Sequence, residues 1–291
     1  MKTIWIKSIS LCAVLCIGGI IETALGAPLM ASRVVGVDTT KLFMNDDIWN
    51  KAREESVVLM AQPMVIPRPA TTTTALLKVR AVHDGKWIAF LLKWTDAEKS
   101  EAGRLGQFSD GVAIEFPVKD NNAPPPVFMG VKDNPVHIFQ WRAQYQLDKE
   151  RGMRTIADLY PNMSVDMYPM EFKDPGKLSG LTEEKRDMFS SGKAAGNPQS
   201  YAKKKGVEEI FAEGFGTSAV SASVEAAADG RWADGEWSVV IARPLKRENG
   251  SILDVGKSSY VGFAVWQGGK DEVGARKSVT MSWLPIQVVA Q

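Results

Sequence analysis

Two short segments hold the residues most suited to chemistry in this 291-residue chain. In Pro124-Pro125-Pro126-Val127-Phe128-Met129-Gly130, a thioether follows a rigid extended run and precedes Gly130, which lets a flat ligand approach the backbone. In Gly268 to Ser278 (GGKDEVGARKS), a glycine-rich loop brings Arg276 and Lys277 to the start of the last apolar run. A methionine sulfur is a soft donor, and a lysine amine is a donor only once it has lost its proton. Each segment also has a plain reading, core packing for Met129 and a solvated charge for Lys277.

Other chemistry is poorly provided for. The only histidines are His83, in a turn, and His137, in an apolar run that puts it on the face of Phe139 and Trp141, as a structural histidine would be. A histidine-based triad or multi-histidine metal site lacks material. Asp84, Asp110, Asp133, Asp229 and Asp234 mostly adjoin Gly or Asn and read as turn residues. The glycines at 262, 268, 269 and 274 make no phosphate-binding loop between a strand and a helix. With 35 basic and 34 acidic residues, the chain has no electrostatic footprint for a phosphate backbone, so nucleic-acid binding is not expected.

The N-terminus reads as a cleaved signal peptide over residues 1–27. Lys2 and Lys7 supply the basic start, Ser8 to Ile21 the apolar run, and Ala24, Gly26 and Ala27 the small residues before cleavage. The run is shorter than the roughly 20 residues that cross a bilayer, so a cleaved leader is read ahead of its alternative, an uncleaved anchor, and no later segment could span. Both cysteines, Cys12 and Cys16, lie in this leader. The mature chain therefore has no thiol for an iron–sulfur cluster, a cysteine zinc site, a disulfide or a covalently attached c-type haem. The expected location is the periplasm or an equivalent extracytoplasmic compartment.

The elements that must position Met129 and Lys277 read as strands. Short apolar or alternating runs cover Ser56–Ala61, Ala75–Val82, Trp87–Trp94, Gly111–Phe116, Val136–Ala143, Thr217–Val224, Glu236–Ala242, Tyr260–Trp266 and Ser278–Val288. His83-Asp84-Gly85-Lys86 is a hairpin turn signal. The expected fold is mainly β, an antiparallel β-sandwich with a few short helices, formed by one domain over residues 28–291. Residues 147–211 read as a long irregular insertion with weak helical stretches at Leu181–Ser190 and Lys203–Phe211. The insertion carries Met153, Met163, Met167, Met170 and Met188, which suit either a partner surface or gap-filling over the sandwich. Nine tryptophans could stack sugars, but five fall in or beside strands, where core packing accounts for them.

Several segments together resemble a known family. They are Asp110 to Pro117 (DGVAIEFP), Phe128-Met129-Gly130, Pro135 to Trp141, Glu208 to Gly216 (EEIFAEGFG), Asp234 to Leu245 (DGEWSVVIARPL), Val261 to Gly269 (VGFAVWQGG) and Ala275 to Trp283 (ARKSVTMSW). In order and spacing they are similar to the haem b-binding γ subunit of periplasmic type II molybdoenzymes of the dimethyl sulfoxide reductase superfamily. That group includes ethylbenzene and dimethyl sulfide dehydrogenases, chlorate and selenate reductases and nitrite oxidoreductase-like complexes. The resemblance implies a β-sandwich holding one non-covalent haem b, with Met129 and Lys277 as axial iron ligands and Gly130 beside them. Lys246, Lys257 and Lys270 are rival lysines. Arg276 either pairs with a haem propionate or is a solvated charge.

The same resemblance implies an electron-transfer subunit that is not itself an enzyme. Its partners would be a molybdopterin catalytic subunit, an iron–sulfur subunit and an external cytochrome c. The alternatives are a secreted carbohydrate- or ligand-binding sandwich and a haem-free structural subunit.

Overall fold

The computed structural model describes residues 28–42, 46–101, 104–119, 124–154, 156–162 and 190–290. The expected leader, Met163, Met167, Met170, Met188 and the stretch expected to be helical at 181–189 lie outside the described residues. The strands are β1 (Leu29–Arg33), β2 (Glu55–Val58), β3 (Met60–Ala61), β4 (Leu76–His83), β5 (Trp87–Thr95), β6 (Gly111–Pro117), β7 (Val136–Arg142) and β8 (Val207–Ala212). They continue with β9 (Ala219–Val220), β10 (Ala227–Ala233), β11 (Glu236–Pro244), β12 (Ser258–Trp266), β13 (Ser278–Val279) and β14 (Leu284–Val288). The helical pieces are short, the longest described being Ala143–Arg151.

These strands run β10-β11-β5-β4-β1-β14-β12-β6-β7-β8-β9 in one hydrogen-bonded sheet that folds over a shared core. Strand β12 makes the corner. Its first half, from Ser258 to Val261, pairs with β14, and its second half, from Gly262 to Trp266, pairs with β6. The core between the two halves takes Ile88, Phe90, Leu92 and Trp94 from β5 and Val239 and Ile241 from β11. From the other half come Val112, Ile114 and Phe116 of β6, Phe139 and Trp141 of β7, and Phe263 and Val265 of β12. Period-two alternation is what puts each set on one face. The Trp94 ring lies 6.2 Å from Trp237 and 6.4 Å from Trp141, which ties the two halves together.

The mainly β sandwich expected from the sequence is the fold observed. The hairpin at Asp84-Gly85 is also present: Asp84 Oδ1 accepts the Lys86 and Trp87 amides at 2.8 Å, and Gly85 takes φ 93°. Four details differ. Lys203–Phe211, expected to be helical, is mostly strand β8, because its Val207-Glu208-Glu209-Ile210-Phe211 run pairs with β7 and its carboxylates find buried partners. Thr217–Val224 shrinks to the two residues of β9, and the real hairpin partner of β11 is β10, closed by Asp234-Gly235 with φ 52° and 76°. Ser278–Val288 divides into β13 and β14. Strand β1, too short and mixed to read as a strand, pairs in parallel with both β4 and β14, so the sandwich is not wholly antiparallel.

Candidate functional site

The outer face of the β6, β7 and β12 sheet is shaped by what alternation leaves there. Because His137, Phe139 and Trp141 point toward the core, Ile138, Gln140 and Arg142 stand on the outer face of β7. On β6 the outer positions are Gly111, Ala113 and Glu115, and on β12 they are Gly262, Ala264 and Trp266. In register, Gly111 lies between Arg142 and Trp266, Ala113 between Gln140 and Ala264, and Glu115 between Ile138 and Gly262. Small residues therefore form a trough, with large side chains at its sides.

Over this face lies a cavity of about 320 Å³ lined by Met129, Lys277, Gln62, Ile138, Gln140, Arg142, Ile210, Trp266, Phe215 and the glycine-bearing turns at 216 and 274. That volume and mixed lining are those of a small-molecule or cofactor pocket. Met129 enters on a turn with φ 70°, followed by Gly130 with φ 68°. A Cβ at Gly130 would stand 3.0 Å from the carbonyl oxygens of Ala212 and Asn134, so glycine is required there for two independent reasons. The Gly214 amide donates to the Met129 carbonyl at 2.7 Å, joining this turn to the end of β8. On the other segment, the Gln62 amide donates to the Lys277 carbonyl at 2.9 Å, and Lys277 Nζ lies 4.7 Å from the Trp266 ring centroid.

Burial lowers the pKa of Lys277, Glu115 opposes that shift, and Arg142 adds to it. Glu115 is pushed up to about 8 by burial, although the Lys277 charge and the Met129 amide pull it down. Its Oε1 is closed off from solvent and has no hydrogen-bond partner. An amine held in this way is nearer its neutral, electron-donating form than a surface lysine, and a thioether needs no deprotonation at all.

Met129, Gly130 and Lys277 thus come together from segments nearly 150 residues apart in the chain, with Gly130 buried under the Met129 turn. The rival lysines lie elsewhere. Lys246 and Lys257 pair with Asp254 at 3.2 and 3.0 Å, and Lys270 closes an exposed 3₁₀ turn. Arg276 does not line the cavity, and its charge bears on Glu272. Glu115, Gln140, Arg142 and Trp266 were not legible as site residues, although strand alternation placed Gln140 and Arg142 opposite a tryptophan-bearing apolar face. Trp94, Trp141 and Trp237 are fully buried and offer no surface to a sugar.

Two further polar clusters serve the framework. Arg243, fully buried, donates to the carbonyls of Pro244, Leu245 and Ser251 and lies 5.0 and 4.9 Å from the Phe116 and Phe139 rings. His137 Nδ1 accepts the Ser251 amide, so its proton sits on Nε2, which faces Glu209 Oε2 at 3.4 Å. Burial lowers the His137 pKa to about 4, so this is a neutral structural histidine. Among the described residues there is no group of three or more His, Cys, Asp and Glu side chains fit to hold a metal ion, and no helix long and apolar enough to cross a membrane.

Residues 46–278 match the family described as "Ethylbenzene dehydrogenase". The chain is similar to "Chlorate reductase subunit gamma" of Ideonella dechloratans, with 29% identity over 241 residues covering 81% of this chain and 75% of that protein. It is also similar to "Putative respiratory nitrate reductase heme subunit ORF7" of Haloferax mediterranei, with 24% identity over 273 residues covering 90% and 76%. Among solved structures, a carbohydrate-binding module of family 9 from Caldicellulosiruptor kristjanssonii, in complex with glucose, aligns over 88% of this chain and 85% of its own with 11% identity and a TM-score of 0.36. These relatives bear out the resemblance to γ subunits of molybdoenzymes read from the sequence, and the chain belongs to the ethylbenzene dehydrogenase family.

Proposed function

We propose that this protein is the electron-transfer subunit of a molybdenum oxidoreductase and holds one non-covalent haem b between Met129 and Lys277. The observation that carries the reading is that a thioether and an amine whose pKa burial lowers line one cavity, on a sheet face whose floor is reduced to Gly111, Ala113 and Ala264. Relatives named as a reductase γ subunit and a heme subunit support the same reading.

The donor set fits a six-coordinate haem. The Met129 thioether and a neutral Lys277 amine would hold the iron between them; the soft sulfur would favour the ferrous state, and two protein ligands would leave no position for substrate. When bound, haem supplies a reversible one-electron couple. The chain's own contribution is to fix the Met129 turn through Gly130, to hold the lysine over Trp266, and to close the site with Ile138, Ile210 and Phe215. This points to a relay and not to a catalyst. The electrons would pass between an iron–sulfur subunit, serving a molybdopterin catalytic subunit, and an external cytochrome c. In keeping with the leader read over residues 1–27, the complex would work in the periplasm. The 147–211 region is then the segment to test for contact with these partners.

Titration of the purified chain with ferric haem tests the proposal. One equivalent should give a Soret band with a six-coordinate, low-spin spectrum. Lys277→Ala should open a coordination position, whereas Lys246→Ala and Lys270→Ala leave the spectrum native. A spectrum that changes at Lys246 or Lys270 but not at Lys277 overturns the lysine assignment, and no Soret band overturns the haem reading.

A further inference from the structure

We infer that Arg142, aided by Gln140, is the receptor for a carboxylate of the bound cofactor, a haem propionate; this rests on the haem reading above. Arg142 ends β7 on the outer face and lines the cavity that holds Met129 and Lys277. It also lines an adjoining cleft of about 110 Å³, which contains Ser109, Gln144 and, beyond ion-pair distance, Glu272. The guanidinium is half-buried. It donates through Nη2 to Gln140 Oε1 at 3.2 Å, and its central carbon lies 5.4 Å from the Tyr145 ring centroid.

What it lacks is an anion. Other arginines of the sandwich framework carry carboxylate partners: Arg80 has Glu54, and Arg247 has Glu209 and Glu225. Among the described residues no carboxylate lies within 4.0 Å of Arg142. A guanidinium that is partly desolvated and unpaired is a strong receptor for a carboxylate, which it can bind in a two-pronged, charge-assisted contact.

Gln140 sharpens the geometry. It is 5% exposed, and because its Oε1 accepts from Arg142, its amide nitrogen is turned away as a donor. Among the described residues no acceptor takes that donor, so a ligand carboxylate beside Arg142 would supply one. Arg276, the arginine adjacent to Lys277 in sequence, lies outside the cavity lining, and its charge bears on Glu272.

The test compares haem with iron protoporphyrin dimethyl ester, whose carboxylates are masked. The wild-type full chain should prefer haem over the ester by about tenfold or more, the worth of a charge-assisted contact. In Arg142→Gln that preference should collapse while the low-spin spectrum set by the axial ligands persists, and Arg142→Lys should retain part of it. Gln140→Leu should reduce it by a smaller factor, and Arg276→Gln should leave it unchanged. Circular dichroism of each apo variant checks that the sandwich is intact. An Arg142→Gln protein that keeps the full preference, or a wild type that binds both porphyrins equally, overturns the inference and leaves the haem reading standing. A wild type that gives no Soret band with either porphyrin overturns both.

Discussion

Lys277 Nζ lies 4.7 Å from the centroid of the Trp266 ring, and the same indole donates from Nε1 to the Gly274 carbonyl at 3.0 Å. One tryptophan at the end of β12 therefore both faces the lysine and anchors the loop that delivers it. The contact is worth about 0.5–2 kcal/mol while the lysine is charged. It is lost when the amine gives its lone pair to a metal, and burial already lowers the cost of that deprotonation.

The two proposed iron ligands should respond differently to substitution. Met129→Ala removes the soft sulfur, so the reduction potential should fall, or haem should be lost on gel filtration. Lys277→Arg should behave like Lys277→Ala in absorption and magnetic spectra, because a guanidinium stays protonated and offers no lone pair. A histidine at 277 should restore part of the six-coordinate signal.

Gly130→Ala should destabilise the protein by about 1–3 kcal/mol and displace the Met129 turn. The new methyl group would sit 3.0 Å from two carbonyl oxygens in a backbone conformation with φ 68°. Urea unfolding of the apo protein checks the stability, and haem affinity checks the displacement. Gly216→Ala is the control: it too has positive φ, at 80°, but a Cβ there meets nothing within 4 Å, so its cost should be the smaller.

Arg243→Met should cost about 3–5 kcal/mol, since it takes the guanidinium donors from the Pro244, Leu245 and Ser251 carbonyls and leaves Leu245 only the Leu253 amide. The loss should appear in thermal unfolding, with the loop around Ser251 exchanging its amides sooner than the rest of the sheet. Burial lowers the Arg243 pKa to about 9, so folding disfavours the cation, and by linkage that penalty is present below 9 and is relieved as pH rises above it.

The Asp96–Asp110 pair sets an opposite pH dependence. Asp110 accepts from the Ser100 and Gly268 amides and the Trp237 indole, at 2.6, 2.8 and 3.0 Å, and is the better hydrogen-bonded carboxylate of the two. Burial, together with the Asp110 charge, pushes Asp96 up to about 7, so it carries the shared proton. A carboxyl whose pKa is raised on folding contributes stability below its unfolded value, and that stability is lost as pH rises through 7. Asp96→Asn keeps an acceptor for the Glu98 amide and gives Asp110 a permanent donor. It should raise stability by about 1 kcal/mol or more at pH 8 and make little difference near pH 5, as thermal unfolding at the two pH values would show.

Alternation in Trp87–Trp94, Gly111–Phe116, Val136–Ala143 and Tyr260–Trp266 was enough to read most of the central strands and the sandwich class, because a strand buried on one face must repeat every two residues. Asp84-Gly85 marked its hairpin for a similarly local reason: the turn needs positive φ. Met129 and Lys277 were legible as candidate donors, since a thioether before a glycine and a lysine in a glycine-rich loop are local patterns. Their meeting in one cavity was not. It depends on β12 changing partners at Val261 and Gly262, which brings the two segments to the same outer face.

Glu115, Gln140 and Arg142 became site residues for the same reason. Each is an ordinary polar residue in its own strand, and only the register of β7 and β12 against β6 sets them around Gly111 and Ala113. Helical propensity at Lys203–Phe211 was overridden because β8 completes the β7 edge and buries Glu208 and Glu209 against Tyr145, Arg247 and the Ala226 amide. Period and turn chemistry are carried by neighbours in sequence. Pairing across the sheet, the trough it leaves, and the charges that share it are long-range relations, so they exist only in the folded chain.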